Sequence, residues 1–427
     1  MIRNKIFRNA SWIIVCRVAQ SVCSLIIIML TARYLGPSNY GLINYASSIV
    51  AFVVPIMQLG LNNILVQETI QNPEQEGKIF GTSLVMSFCS SIACIAGILC
   101  FVFVANAGEK QTIIVCSLYS VLLLFQSLEL TRYWFQAKYL SKYVAVVSLC
   151  AYVFVSAYKI FLLASGKSIY WFAVSNAIDY MIISFALLAV YRKLGGAKLC
   201  FSLETAARML SKSKYYIISG LMVTIFAQTD KIMLKLMLDE AATGYYSAAV
   251  SCAGMTTFVF VAIIDSARPA IFESQKQSEA AFEKNMTRLY CVIIYLSLLQ
   301  SVAMTLLAKP VIGILYGSEY SPSINILQTA VWYTTFSYMG AVRDIWILAT
   351  GRQKYLLIIN LSGAAANVLL NAVLIPEFGA TGAAIASVIT QFFTNVVTGA
   401  VIKPIRRNNR LILRGLNIKL ITDMIKK

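Results

Sequence analysis

Apolar runs about as long as a bilayer is thick recur along nearly the whole of this chain, and they limit its fold more than any other feature. Crossing ~30 Å of hydrocarbon takes roughly 20 residues of α-helix. Twelve such runs begin near Ser11, Tyr40, Phe80, Thr112, Lys142, Tyr170, Tyr215, Gly244, Leu289, Ile326, Tyr355 and Ala380. They are too long and continuous for the roughly ten-residue alternating strands of a membrane barrel. Of 427 residues, 59% are hydrophobic and 13% charged, and no soluble domain covers that much apolar surface with so few charges. The expected fold class is all-α integral membrane, with twelve transmembrane helices. The opening "MIRNKIFRNASWIIVCRVAQ" continues apolar to Tyr34 without a small-residue cleavage site, so the first helix is expected to stay in the product.

The charges set the orientation. With a cytoplasmic amino terminus, the inside segments hold 26 Lys and Arg and the outside segments 4, with the other 6 of the 36 inside helices. The positive-inside rule then puts both termini in the cytoplasm. The same bias accounts for the net charge of +18 and argues against nucleic acid as a partner, because the basic residues are spread over many short loops. The tail from residue 403, "KPIRRNNRLILRGLNIKLITDMIKK", is too polar to span, and reads either as an amphipathic helix on the anionic inner leaflet or as a disordered basic tail. There is no histidine, which excludes an imidazole relay and a His-ligated metal, so any proton chemistry falls to carboxylates. Cysteines such as Cys89, Cys94 and Cys100 lie in apolar runs as small hydrophobes, and no disulfide framework is expected.

At an offset of 203 the chain echoes itself: "LGPSNYGLINYA" against "LDEAATGYYSAA" matches Leu35 to Leu238, Gly41 to Gly244 and Ala46 to Ala249. Each segment falls between the first and second helix of a set of six. The expected division is an N-terminal six-helix lobe (1–200), a C-terminal six-helix lobe (201–402) and a basic cytoplasmic tail (403–427). Six helices preserve orientation, so the repeat would be parallel, with substrate between the lobes.

Ionisable residues at membrane depth face a cavity, pair, or snorkel to an interface. Lys235 and Arg132 lie roughly 5 and 6 Å from their helix ends, within snorkelling reach of water. Glu129 and Arg132 are also spaced to pair on one helix face. Arg17, Lys231 and Arg343 are roughly 9 to 10 Å inside and Lys159 about 8 Å, which makes them candidate cavity cations. Asp179 and Asp230, roughly 12 to 13 Å in, are too short to snorkel and need a partner, a proton or a cation. Neighbours on a helix point about 100° apart, so Asp230 is expected to find its partner on another helix rather than at Lys231, and likewise Arg343 rather than at Asp344. The helices hold six cations against four carboxylates; an anionic substrate, such as a diphosphate, would balance the surplus, as would a cavity open to water and counter-ions.

Asn367 and Asn371 share a helix face, with Asn360 near it. These amides either line a polar cavity for sugar hydroxyls or join helices by hydrogen bonds. Pro55 is expected to kink its helix.

Six segments then become familiar together: "ARYLGPSNYGLINYA", "RYWFQAKYLSKYVAV", "TDKIMLKLMLDEAATGYYSAA", "ILYGSEYSPSINILQ", "LATGRQKYLLIIN" and "NVLLNAVLIPEFGATGAAIASVITQ". In this order the chain resembles the polysaccharide repeat-unit flippases, the oligosaccharidyl-lipid branch of the superfamily that also holds the multidrug and toxic-compound extrusion antiporters. The resemblance implies a two-lobed, twelve-helix bundle in the bacterial plasma membrane. Its substrate would be an undecaprenyl-diphosphate-linked oligosaccharide for O-antigen, capsule or exopolysaccharide, moved from the inner to the outer leaflet through a cationic cavity open alternately to each side. By position, Arg17 and Lys231 are carried over as head-group contacts, with Arg343 and Lys159 behind them. Asp179 and Asp230 become candidates for coupling to H+ or Na+. No resident cofactor or metal is implied; the further partners would be membrane lipids, a polysaccharide polymerase and a chain-length regulator.

Three rivals frame this reading. A cation-coupled multidrug antiporter of the same fold should show a carboxylate-dominated cavity, whereas deep Lys and Arg are in surplus here. A membrane enzyme such as a glycan polymerase would be expected to carry large outside loops, and no metal-ligand cluster or nucleophile–base pair is legible. A scaffold protein would have no reason to keep six cations inside its helices.

Overall fold

The computed structural model describes the backbone of residues 2–417, and the side chains of Gln20 and of residues 23–417. The described residues are helical almost throughout. In chain order the helices are α1 (Ile2–Met57), α2 (Leu65–Gln71), α3 (Glu76–Ala105), α4 (Lys110–Ser120), α5 (Leu122–Leu128), α6 (Arg132–Ala137), α7 (Ser141–Ala164) and α8 (Ile169–Lys193). Then come α9 (Leu203–Met237), α10 (Glu240–Ala253), α11 (Thr257–Gln277), α12 (Glu279–Leu315), α13 (Ser323–Ala349), α14 (Lys354–Phe392), α15 (Thr398–Val401) and α16 (Arg406–Gly415).

Among these, eight stretches are long and apolar enough to cross a membrane, or up to nine when α10 and α11, bent by 44°, count as one span. The chain is a multi-pass membrane protein. The number differs from the twelve apolar runs for physical reasons. Gly36 (φ 70°, ψ 171°) and Gly379 (φ 61°, ψ −142°) each break a helix without a loop, so α1 and α14 each contain two runs. Both glycines sit at positive φ, where a Cβ would be strained. Helix α13 is less apolar than these spans, with Asn325, Gln328, Arg343 and Asp344 along it among several Thr, Tyr and Ser. Pro55 lies within α1, which ends two residues later; Leu59 (φ 51°) and Gly60 (φ 65°) then turn the chain.

The chain forms two compact units, Met1–Gln228 and Thr229–Lys427. In the first, the core gathers Leu61, Phe80, Trp134, Phe135, Leu187 and Tyr191. In the second it gathers Phe260, Tyr290, Tyr338, Trp346, Ile405 and Leu411. Large apolar side chains also point outward, Val104 at 77% and Leu306 at 75% exposure, as expected where the solvent is lipid.

Within the first unit, buried carboxylates on α2 and α3 tie these helices to α6 and α9, and a backbone hydrogen bond holds the segment before α9. Glu76 accepts from the Trp134 indole (2.7 Å) and pairs with Lys138 (2.8 Å). Glu68 pairs with Lys212 at 2.5 Å. The Cys200 amide donates to the Gly77 carbonyl at 3.1 Å, and a Cβ on Gly77 would come within 2.2 Å of the Lys198 carbonyl oxygen. Backbone cannot yield as a flexible side chain does, so Gly77→Ala is expected to destabilise this unit by about 3 kcal/mol. A lowered unfolding midpoint in detergent, with no corresponding loss for Gly97→Ala, where the space is open, checks this.

Candidate functional site

In the second unit a single carboxylate gathers three helices. Asp230, on α9, is 8% exposed. Its Oδ1 accepts from the amides of Asn367 (3.0 Å) and Asn371 (2.6 Å) on α14. Its Oδ2 accepts from Ser387 at 2.6 Å, beyond the Gly379 break, and from the Tyr246 hydroxyl on α10. The i, i+4 spacing that puts Asn367 and Asn371 on one face also lets Asn371 donate to Asn367 at 3.2 Å. All four partners donate, so the arrangement suits an acceptor-only carboxylate. Asn360, seven residues earlier, is half-buried and makes no hydrogen bond among the described residues; the structure does not bring it to Asp230. Tyr246 and Ser387 were not legible in advance, since nothing in their spacing from Asp230 marks them.

Lys231 is the next residue, turned about 100° away. It is half-buried, and its ammonium has neither a hydrogen bond nor an ion pair among the described residues.

Arg343, by contrast, is 3% exposed and fully engaged. Its Nη1 donates to the Thr394 carbonyl and to Asn395 Oδ1, both at 2.9 Å. These acceptors lie in a π-helical turn, Phe393–Val397, and such a widened turn redirects backbone carbonyls. Contrary to expectation, Arg343 also pairs with its neighbour Asp344, at 2.8 Å from Nη2. The two Cβ atoms point about 100° apart, but the long Arg side chain curls back across that angle. Lys235 is a second correction. It does not snorkel: it is 5% exposed and pairs with Glu240 at 3.0 Å. The turn between α9 and α10 brings that carboxylate over it, which gives the buried ammonium a counter-charge.

The first unit has its own polar interior. Asp179, on α8, lines two cavities. One, of about 410 Å³, also meets Gln20, Glu129, Arg132 and Tyr180; the other, about 310 Å³, meets Ser47, Tyr119, Gln126 and Asn176. Asp179 Oδ1 is buried without a hydrogen-bond partner among the described residues. Lys159 Nζ donates to Asn176 Oδ1 (3.2 Å), and Asn176 in turn donates to the Tyr119 hydroxyl (2.9 Å). Glu129 and Arg132 pair at 2.6 Å. Arg17 lies on α1, and its side chain is outside the described residues.

Chemically, the second unit offers a carboxylate held by donors beside an unpaired ammonium. The first offers a carboxylate with a free oxygen between two cavities.

Comparison with known proteins bears on this geometry. Residues 6–275 match the family described as polysaccharide biosynthesis protein. The chain is 21% identical over 397 residues to the capsular polysaccharide biosynthesis protein CapF of Staphylococcus aureus, covering 90% of this chain and 96% of that protein. Its fold is similar to the lipid II flippase MurJ in an inward closed conformation (TM-score 0.74, 14% identity, 97% of this chain and 92% of that one). It is also similar to an inward-facing multidrug resistance MATE family transporter of the MOP superfamily (TM-score 0.70, 12% identity, 93% and 96%).

Proposed function

The chain belongs to the polysaccharide biosynthesis protein family, and from that premise we propose that it is a flippase for undecaprenyl-diphosphate-linked oligosaccharide. It moves the repeat unit from the cytoplasmic to the outer leaflet of a bacterial plasma membrane, for cell-surface polysaccharide. The observation that carries this reading is the pairing state of the deep charges. Asp230 is saturated by four neutral donors, so it leaves the ammonium of Lys231 without a bonded counter-charge in the second unit. An unpaired cation at membrane depth is costly until an anion arrives, and a diphosphate supplies one.

In this proposal Lys231 and Arg17 meet the diphosphate and Lys159 assists. Arg343 is held by its neighbours and shapes the site rather than meeting substrate. Asn360 is the amide free to meet a sugar hydroxyl, while Asn367 and Asn371 orient Asp230. Asp179 and Asp230 couple transport to H+ or Na+. Twelve spans follow when α1 and α14 count as two each, α10 with α11 as one bent span and α13 as a polar one, with both termini cytoplasmic. Six then precede residue 200, and six fall within 201–402.

No covalent chemistry is needed. Unaided passage strips a dianion and many hydroxyls of water, at a cost of tens of kcal/mol by Born reasoning. A wet cationic cavity, open alternately to each side, removes most of that barrier. The membrane potential, positive outside, favours the outward step by ~2.3 kcal/mol per charge per 100 mV.

Deleting the gene is expected to make lipid-linked repeat units accumulate on the inner leaflet, detected by head-group accessibility in inverted vesicles. Normal surface polysaccharide in the deletion strain, or a change confined to drug sensitivity, would end the proposal.

A further inference from the structure

The transport reading leaves α16, the last helix among the described residues, without a role, and we propose that its outward face binds the head groups of anionic phospholipids. Helix α12 has 37 residues, about 55 Å of helix against a hydrocarbon core of ~30 Å. The excess lies at its start, where "EAAFEKNMTR" (279–288) is polar and the residues from Leu289 onward are apolar. The membrane boundary therefore falls near Tyr290 to Tyr295.

That is the level at which α16 meets α12. Arg407 pairs with Glu279 and Glu283, and Arg414 reaches Glu283 at 3.0 Å. Tyr290 donates to Asn408 at 2.8 Å, and Gly415 packs against the same tyrosine. The Tyr295 hydroxyl donates to the Leu416 carbonyl at 2.6 Å. Residues seven apart on α16 thus meet the same residue of α12, and successive contacts run around α16 rather than along it. Only a helix lying across α12 does this. With α12 crossing the membrane, α16 lies along its surface, Arg407 and Arg414 turned from the hydrocarbon and Leu416 towards it.

The outward face now has a defined composition. Leu411 and Ile412 are buried in the second unit, but Leu413 and Leu416 remain 67% and 49% exposed. At about 100° per residue, Leu413, Arg406 and Arg410 lie opposite Asn408 and Gly415, with Leu413 on the side of Leu416 and Arg410 on the side of Arg407. Arg407 and Arg414 have carboxylate partners; Lys403, Arg406 and Arg410 are exposed and have no carboxylate partner among the described residues, Arg406 donating only to the Ala400 carbonyl at 2.9 Å. Unpaired cations above exposed leucines, at the membrane boundary, complement one occupant: a lipid with an anionic phosphate above and acyl chains below. A soluble protein partner would leave the leucines on the hydrocarbon side unexplained.

The inference holds whatever the chain transports, and lipid binding by the purified full-length protein tests it. Native mass spectrometry of phosphatidylglycerol titrated into detergent-solubilised protein should give an affinity about fivefold weaker for each basic residue removed. A Lys403→Ala, Arg406→Ala, Arg410→Ala variant is then weaker on the order of a hundredfold. Inorganic phosphate should not compete, which separates a lipid from a free anion. In nanodiscs containing brominated phosphatidylglycerol, Leu413→Trp should show added fluorescence quenching over the parent chain, and this reading needs no change of charge. Unaltered phosphatidylglycerol affinity in the triple variant, competition by phosphate, or no added quenching in Leu413→Trp overturns the inference.

Discussion

Lys231→Ala is expected to cut export of the proposed lipid-linked saccharide roughly ten- to a hundredfold while the protein persists, folded, at parental levels in the membrane; Arg343→Ala is expected to be lost from the membrane before its transport can be judged. Both residues are cations deep in helices, and the opposite outcomes follow from what surrounds them. The Lys231 ammonium makes no hydrogen bond or ion pair among the described residues, so its removal breaks none, and Asp230 keeps its four donors. On the proposed function, what goes is a charge-assisted hydrogen bond to a visiting phosphate, worth ~1.5–3 kcal/mol, or roughly ten- to a hundredfold in transport at limiting substrate. Arg343 instead holds the Thr394 carbonyl, Asn395 Oδ1 and Asp344. Removing it leaves Asn395 Oδ1 buried and unmet and the Thr394 carbonyl with the Thr398 hydroxyl alone, for about 3 kcal/mol of lost stability. Half-exposed Asp344 can turn to solvent and adds little. Quantitative immunoblotting beside surface-polysaccharide staining in a deletion strain reads both quantities. Full export by Lys231→Ala, or loss of that protein from the membrane, removes Lys231 from the site; Lys231→Arg, which keeps the charge, should restore part of the export.

This contrast also marks how far the sequence could be read. Composition and run length gave the fold class because the cost of exposing backbone to lipid permits few alternatives. Helix count was harder. A glycine at positive φ bends a chain without any polar loop to announce it, and α13 is polar enough to look unlike a span. At the site, the face shared by Asn367 and Asn371 follows from helical periodicity. That this face meets Asp230, with Tyr246 and Ser387 completing the ring, is a fact of packing between helices far apart in sequence. Arg343 shows the complementary limit: periodicity fixes where Cβ atoms point, and a side chain as long as arginine is not bound by it. The same holds for Lys235, whose partner Glu240 comes from across a tight turn rather than from an adjacent helical position.

Asp230 should separate stability from coupling when it is replaced in two ways. Asp230→Ala leaves the donors of Asn367, Asn371, Tyr246 and Ser387 facing a gap. Some find each other, since Tyr246 and Ser387 already lie 3.2 Å apart and Asn371 already reaches Asn367 at 3.2 Å. The remaining deficit is about 3–5 kcal/mol, and the unfolding midpoint in detergent should fall on the order of 10 °C. Asp230→Asn behaves differently because hydroxyls can reverse. Its oxygen can accept from Asn367 and Asn371 while its amide donates to Tyr246 and Ser387, which serve equally as acceptors. The ring of hydrogen bonds is then kept, the fold with it, and only the negative charge is gone. If Asp230 carries the coupling ion, transport by Asp230→Asn in proteoliposomes should no longer respond to an imposed Na+ or proton gradient, although the midpoint stays near that of the parent. An undiminished response in Asp230→Asn would assign coupling elsewhere, with Asp179 and its unpartnered oxygen the next residue to neutralise, and would leave Asp230 as the pin that joins α9, α10 and α14.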